Sequence, residues 1–384
     1  MISLKIYIDI VMFFIESIAG EYAGGTGLAG SVTLKEIAKE AQVSIGTVSR
    51  VFNNHTNVTE EVRQRVLKVA TQLGYFTAVG QEPRLAEGNR AAKEIGFLFY
   101  SFVYSFEGKE AVVGNPFWSH ILHGVESEAS KFNIKVAYRS ISNLRNTPDI
   151  LMTTIYEMKL GGILLLGPAE VEIVRLLQDT GIPVVLVDNY VPQANAVLGS
   201  NFEGARAAVE YLIAMGHRQI AFIGGPVGEG PRPISPVYTM ERRAEGYRMA
   251  LADAGLAVNY ELYESANLSA DGGYKACKRL LARGVPFTAL FCANDEMAIG
   301  AMKALREAGL RIPEDISLVG FDDINMVEHL TPALTTVRVD KEALGAIAVK
   351  RLLSLMSNPD GISVSSVVDV NLVIRDSVSR RSPA

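Results

Sequence analysis

The side chains best suited to chemistry in this 384-residue sequence fall into two groups. The first is a run of polar residues within "SIGTVSRVFNN", Ser44 to Asn54. Val48, Val51 and Phe52 recur at helical spacing, so Thr47, Ser49 and Arg50 face away from the stripe they make. A guanidinium beside hydroxyls on one helix can pair with guanine or grip phosphate oxygens. A surface helix that merely solvates its polar face reads the same way. The second group consists of acids and an amide that end apolar runs: Asp188, Asn294, Asp295, Asp322 and Asp323. Ligands of open parallel sheets bind beyond the carboxyl ends of the strands, so such residues can hold a small molecule.

Three short helices are expected to position the first group. Thr33 begins "TLKE", in which its hydroxyl can cap a helix while Glu36 reaches back. Leu34, Ile37, Ala38 and Ala41 form the apolar stripe of that helix. After the turn "AQVS", Ser44 is placed to cap the second helix, and Thr59 the third, with Glu60 and Glu61 in its first turn. Val62, Val66, Val69 and Leu73 supply the third helix's apolar face, and Gly74 ends it. Helix, tight turn, helix, third helix is the helix-turn-helix arrangement, whose second helix enters the major groove with its N-terminal residues toward base edges. Those residues are Ser44, Ile45, Gly46, Thr47, Ser49 and Arg50.

The second group needs a different scaffold. From Glu94 onward, strand-length apolar runs such as "EIGFLFY", "GGILLLG", "PVVLVDN" and "ISLVGFDD" alternate with amphipathic segments such as "EGARAAVEYLIAMGH". Strands apolar on both faces and separated by helices predict parallel sheets covered on both sides, over a length sufficient for two lobes. The fold class is therefore an all-α head joined to an α/β body.

Charge divides the chain in the same place. Residues 31–76 hold six basic side chains and four acidic ones, a surplus of two, so a net charge of −5 leaves −7 for the remainder. A modestly basic head on an acidic body suits a small nucleic-acid-contacting module attached to something that is not one. Two cysteines, Cys277 and Cys292, make neither a disulfide framework nor a thiolate metal site, and a reducing compartment is the simpler reading. The opening run "IYIDIVMFFIESIAG" has the outline of a signal sequence, but Asp9 and Glu16 interrupt it. Residues 1–30 are read as a flexible extension, export or anchoring being the alternative.

The stretch "VTLKEIAKEAQVSIGTVSRVFNNHTNVTEEVRQRVLKVATQLGYF" resembles, almost position for position, the DNA-binding head of the lactose-repressor/galactose-repressor (LacI/GalR) family. The resemblance implies that Ile45 and Gly46 stand at the base-reading positions. It also implies that Thr33, Ser44, Thr47, Ser49, Arg50 and Asn57 touch bases or phosphates, with Tyr75 nearby. It continues through "NPFWSHILHGVESEASKFNIKV", "RRAEGYRMALADAGL", "ANDEMAIGAMKALREAGLRIPEDISLVGFDDI" and "LTPALTTVRVDKEALGAIAVKRLL". This implies a two-lobed, periplasmic-binding-protein-like body that closes on a small effector and forms a homodimer. The first lobe is expected at about 94–191 and 339–358, the second at about 192–338 and 359–384. Arg243, Asn294, Asp295 and Asp322 match the family's effector residues, interlobe salt bridging or helix capping being the alternative. Phe117 and Trp118 offer an apolar wall or belong to the core.

Two family features depart. The expected hinge, residues 77–93, reads "TAVGQEPRLAEGNRAAK", in which Gly80 and Pro83 oppose a helix. Leu85 lies one residue past the place of the usual minor-groove leucine and is either that wedge or part of an ordinary linker. Leu268 stands where sugar-binding members often carry an aromatic, and Ser200 where an aspartate is common. "GGPVGEGP" lacks the spacing of a phosphate loop, and His120 with His123 lack a third metal ligand. Asp322 and Asp323, adjacent at a strand end, point to opposite sides and make a poor acid/base pair. The expected protein is thus a DNA-binding transcription regulator, a repressor in the first reading. It acts in the cytoplasm on double-stranded operator DNA, under a small-molecule effector, carbohydrate being the leading class. No cofactor, metal, membrane or enzymatic reaction is expected. The rivals are an exported solute receptor and a Rossmann-like enzyme acting on a sugar or nucleotide.

Overall fold

The computed structural model describes residues 33–52, 58–73, 94–100, 116–144, 147–227, 235–358 and 362–381. The expected N-terminal extension and the 77–93 linker lie outside the described residues, as do Asn57, Tyr75 and Leu85. The chain divides into two compact units, Met1–Gln81 and Glu82–Ala384.

The first unit holds helices α1 (Leu34–Glu40), α2 (Ile45–Phe52) and α3 (Glu60–Gln72). The Thr33 N–H donates to Glu36 Oε2 at 2.7 Å, and the Glu36 N–H donates back to Thr33 Oγ1 at 3.4 Å, completing the capping box. Ser44 Oγ accepts from the Thr47 N–H at 3.0 Å, so the second helix begins where the sequence predicts. Ile37, Ala38, Ala41, Val48, Val51, Val66, Leu67 and Ala70 fill a small core. The buried face of α3 is turned from the expected one: Val62 and Val69 are half-buried and Leu73 is 37% exposed. Leu73 falls past the last residue of the helix, and Arg63, buried beside Val66, reaches the Val51 carbonyl at 3.5 Å.

In the second unit a six-stranded parallel sheet comprises β1 (Glu94–Phe99), β2 (Lys135–Ser140), β3 (Ile163–Leu166), β4 (Val184–Val187), β5 (Asn195–Gly199) and β11 (Ser365–Val368), in the order β11-β5-β4-β3-β1-β2. In its inner strands β1, β3 and β4, alternate residues bury on the two faces. Phe97, Leu164, Leu166 and Val185 join one core cluster, while Leu98, Ile163, Leu165 and Leu186 join another under α5 (Pro148–Met158) and α6 (Val171–Gln178). The opposite face carries α4 (Pro116–Ser130) and α11 (Lys341–Ser357). These two helices touch through Gly124 and Gly345, where a Cβ on either would strike the other helix's backbone.

The second sheet, also parallel, contains β6 (Ile220–Gly224), β7 (Tyr263–Ser265), β8 (Ala289–Cys292) and β9 (Ser317–Val319) in the order β7-β6-β8-β9. Helices α7 (Asn201–Ala214), α8 (Tyr238–Asp253), α9 (Ala270–Ala282) and α10 (Asp295–Glu307) cover it. An antiparallel pair, β10 (Thr336–Val339) with β12 (Val370–Val373), packs against α7. The expected parallel two-lobed α/β architecture is what the body adopts. Lobe membership differs from the sequence expectation in two places. The strand at 195–199 pairs with β4, and the strand at 365–368 pairs with β5, so both extend the first sheet rather than the second lobe. The short apolar run "NAVLG" follows β4 closely enough to pair with it before the chain crosses, and β11 then completes that edge. Cys277 and Cys292 are free and fully buried among core side chains.

Candidate functional site

In the first unit, the N-terminal end of α2 exposes Ser44, Ile45, Gly46 and Arg50, with Thr47 and Ser49 half-buried. Thr33, at the cap of α1, is exposed as well. Ile45 leaves 48% of its surface to solvent. A Cβ at Gly46 would meet only Ser44 Oγ, at 3.7 Å, so nothing within the unit requires glycine there. Val48 and Val51, on the opposite side of the helix, hold this face outward.

In the second unit, a cavity of about 150 Å³ opens at the carboxyl ends of strands from both sheets. The first lobe contributes Phe117 and Trp118 from α4, Gly167 and Pro168 after β3, and Asp188 after β4. The second contributes Thr239, Met240 and Arg243 from α8, Leu268, Asn294 and Glu296 around α9 and α10, and Asp322 after β9. The structure thus brings together Arg243, Asn294, Asp322, Phe117, Trp118, Asp188 and Leu268. Phe117 belongs to the core and to the wall at once, whereas Trp118, the chain's one tryptophan, is half-buried.

Asp295 is placed elsewhere. It is fully buried behind the wall, where its Oδ2 accepts from the Ile324 N–H at 2.9 Å and its Oδ1 from the Thr336 hydroxyl at 2.6 Å. As the first residue of α10 it points back into the protein and braces the loop after β9, so the "ND" pair supplies one wall residue rather than two. Even Asn294 is largely committed. Its Oδ1 caps α10 through the Met297 N–H at 2.9 Å, and its Nδ2 donates to the Leu268 carbonyl at 3.0 Å. That bond secures Leu268 at a φ of +64°, a conformation a branched side chain rarely takes.

Arg243 is the central cation and is only 1% exposed. Its Nε donates to Asn201 Oδ1 at 2.7 Å, its Nη1 donates to the Ala293 carbonyl at 2.6 Å, and its face covers the Phe321 ring at 3.8 Å. Nη2 lies 2.9 Å from Asp322 Oδ1, a close charge contact across the cavity. Three carboxylates share the cavity with this one guanidinium. Burial pushes the Asp188 carboxyl from its ordinary 3.8 up to about 7, with Arg243 opposing and Asp322 adding to the rise. Burial also raises Asp322, more than Arg243 and Lys341 lower it, and raises Glu296 with help from Asp322. The residues that sequence reasoning missed are Glu296, Asn201 and Lys341. Only Glu296 carried a signal, standing next to the "ND" pair.

A surplus of acceptors around a committed guanidinium recognises a donor-rich ligand, such as a set of hydroxyl groups. Of the two hydroxyl-bearing residues on this wall, Thr239 and Ser269, the second donates to Asn267 Oδ1 at 2.7 Å and caps α9 through the Gly272 N–H at 3.1 Å. Among the described residues, no helix is long and apolar enough to cross a membrane.

Known proteins resemble both units. A family model described as bacterial regulatory proteins, lacI family, matches residues 33–78, and one described as a periplasmic binding protein-like domain matches residues 209–378. The Probable HTH-type transcriptional repressor ExuR of Bacillus subtilis (strain 168) is 32% identical over 354 residues, 91% of this chain and 99% of that protein. Among solved structures, a transcriptional regulator CelR-cellobiose complex is similar with a TM-score of 0.68 and 28% identity, covering 90% of this chain and 99% of that one. The lac repressor dimer bound to operator and the anti-inducer ONPF is similar with a TM-score of 0.63 and 26% identity, over 91% of this chain and all of that one (100%). Regulators that carry both units in this order, matched along nine-tenths of the sequence, settle the family: this chain belongs to the lacI family of bacterial regulatory proteins.

Proposed function

We propose that this protein is an effector-controlled transcriptional repressor. The observation that carries the reading is the presence in one chain of an outward polar helix end and a donor-seeking cavity, aligned along 91% of its length with the lac repressor dimer on its operator. As a homodimer it would read the two halves of a near-palindromic operator through α2. Ile45 and Gly46 would face bases, Arg50 would take a guanine or a phosphate, and Thr33, Ser44, Thr47, Ser49, Asn57 and Tyr75 would fix register. Residues 77–93, including Leu85, would serve as the hinge between head and body.

The effector bound between the lobes would be a neutral, polyhydroxylated molecule of sugar type. Asp188, Glu296 and Asp322 would accept its hydroxyls, Arg243 would orient Asp322, and Trp118 would supply the stacking face that Leu268 does not. A carboxylate or phosphate on the ligand would meet three acids against one cation and be disfavoured. Binding would act by a coupling free energy on the placement of the heads, with no reaction, and in the cytoplasm, where the operator is. The test is a gel shift on operator DNA selected from random sequence, with and without sugars found by thermal shift. No selected sequence, or bound operator indifferent to every stabilising sugar, would sink the proposal.

A further inference from the structure

Lys341 opens α11, yet its side chain leaves that helix. It is 8% exposed, and its Nζ donates to three carbonyls: Asp322 at 2.6 Å, Asp323 at 3.0 Å and Val339 at 3.2 Å. An ammonium has three N–H groups, so its capacity is filled by backbone alone. The helix that carries it rests on α4 and on β3, β4 and β5 of the first lobe. The turn that it holds follows β9 of the second. Lys341 therefore spans the lobes at the point where the chain passes from β10 to α11.

The turn is strained. Asp322 has a φ of +111° and Asp323 one of +51°, two consecutive non-glycine residues in a region that L side chains avoid. This shape sends neighbouring carboxylates in opposite directions. Asp322 meets Arg243 in the cavity, whereas Asp323 is held by Arg338 at 2.6 Å and Arg375 at 2.7 Å. It also turns the Asp322 and Asp323 carbonyls onto one point, and the ammonium occupies that point. Burial lowers the proton affinity of Lys341, Asp322, Asp323 and Asp295 raise it, and Arg338 lowers it again. So costly a cation is retained where backbone, not a carboxylate, takes its bonds.

We propose that Lys341 is the positioning residue of the cavity: its ammonium fixes the Asp322–Asp323 turn in the form that aims Asp322 at Arg243, and ties that turn to the first lobe. The consequence for effector control rests on the function proposed above, but the positioning itself needs neither effector nor DNA to be tested. The whole protein is compared with its Lys341→Met and Lys341→Arg variants by hydrogen exchange of residues 320–326 and by pH titration of Trp118 fluorescence. Trp118 is the one tryptophan and shares the cavity with Asp188 and Asp322. In Lys341→Met, exchange at 320–326 is expected to accelerate about tenfold or more, while the body of α11 keeps its protection. The titration midpoint should rise by about half a pH unit, because Asp322 loses a neighbouring cation. Lys341→Arg should restore the midpoint, which a merely structural residue would not move. Should Lys341→Met fail to fold, Lys341→Gln carries the same measurements. A folded variant with unchanged protection at 320–326 and an unchanged midpoint overturns the proposal, and does so whether or not the protein binds an operator.

Discussion

The two candidate surfaces of this chain are built on opposite plans. At the head, Ser44, Ile45, Gly46 and Arg50 stand exposed on a short helix whose other side supplies a minimal core. In the body, Arg243 and Asn294 bond mainly to the protein itself, and Asp188, Glu296 and Asp322 have been moved far enough from water to hold protons more tightly. A surface that meets a polyanion can rely on its partner to supply charge and exclude water, so its side chains need only be available. A cavity for a small, weakly charged molecule has to be organised beforehand, because the ligand brings too few contacts to order it. Substitutions should therefore cost stability in the body and cost little or none at the head.

The largest effect is expected at Arg243. Replacing it with alanine strands Asn201 Oδ1, the Ala293 carbonyl and the Asp322 carboxylate, all buried. Removing one partner of a buried ion pair costs about 3–5 kcal/mol, so Arg243→Ala should lower stability by that order in chemical denaturation and abolish any effector response. Wild-type stability in that variant would mean the cavity is not prearranged. Arg50→Ala reverses the pattern. Its exposed side chain predicts a stability change within about 0.5 kcal/mol. Operator affinity should fall by about 1–3 kcal/mol per head. If the salt dependence of binding also falls by about one ion per head, Arg50 grips phosphate; if base preference relaxes instead, it reads guanine.

How much of this contrast could be read beforehand differed between the two regions. The head is built from local signals: the Thr33–Glu36 box and the Ser44 cap lie within three residues of their partners, and both formed as read. The long apolar runs of the body, such as those of β1, β3, β4 and β9, became strands for a similar reason, since a strand buried on both faces leaves a continuous signature. Strands β5 and β11 were assigned to the wrong lobe because the edge each one joins is set by topology and not by its own residues. Within the site, Arg243 and Asp322 were legible through motif context. Asp295, adjacent in sequence to a wall residue, turned inward because helix geometry rotates neighbours by about 100°. Lys341 gave no sign, since its partners are carbonyls, which every residue possesses.

A smaller effect should come from Asp188. Its carboxyl holds a proton more tightly in the folded protein than in the unfolded chain, with a value raised from 3.8 to about 7. The fold therefore binds more protons between those values, and the stability associated with this group is lost as pH climbs from about 4 through about 7. Asparagine tolerates the φ of +55° at this position and cannot ionise. Asp188→Asn should match the wild type near pH 4 and exceed it by up to about 4 kcal/mol at pH 8, a gain of several degrees in Tm. A difference between the two proteins that stays constant across that range would remove Asp188 from the set of perturbed acids. The same variant should weaken the effector response, because a carboxylate accepts where the amide nitrogen donates.

Gly46→Ala should be the mildest change to the fold and the sharpest probe of the head. With only Ser44 Oγ at 3.7 Å from the new methyl, no clash opposes it. Alanine in a helix is favoured over glycine by up to about 1 kcal/mol, so the isolated protein should gain slightly in thermal stability. If α2 lies in a major groove with residue 46 against the bases, the methyl occupies space that the backbone otherwise shares with DNA. Selection of binding sites from random DNA should then return a changed preference at one base pair in each half-site, with the rest of the operator unaltered. Such a change without any loss of stability would show that glycine at this position serves the partner and not the fold. An unaltered preference would move residue 46 off the reading face and leave Ile45 and Arg50 to choose the bases.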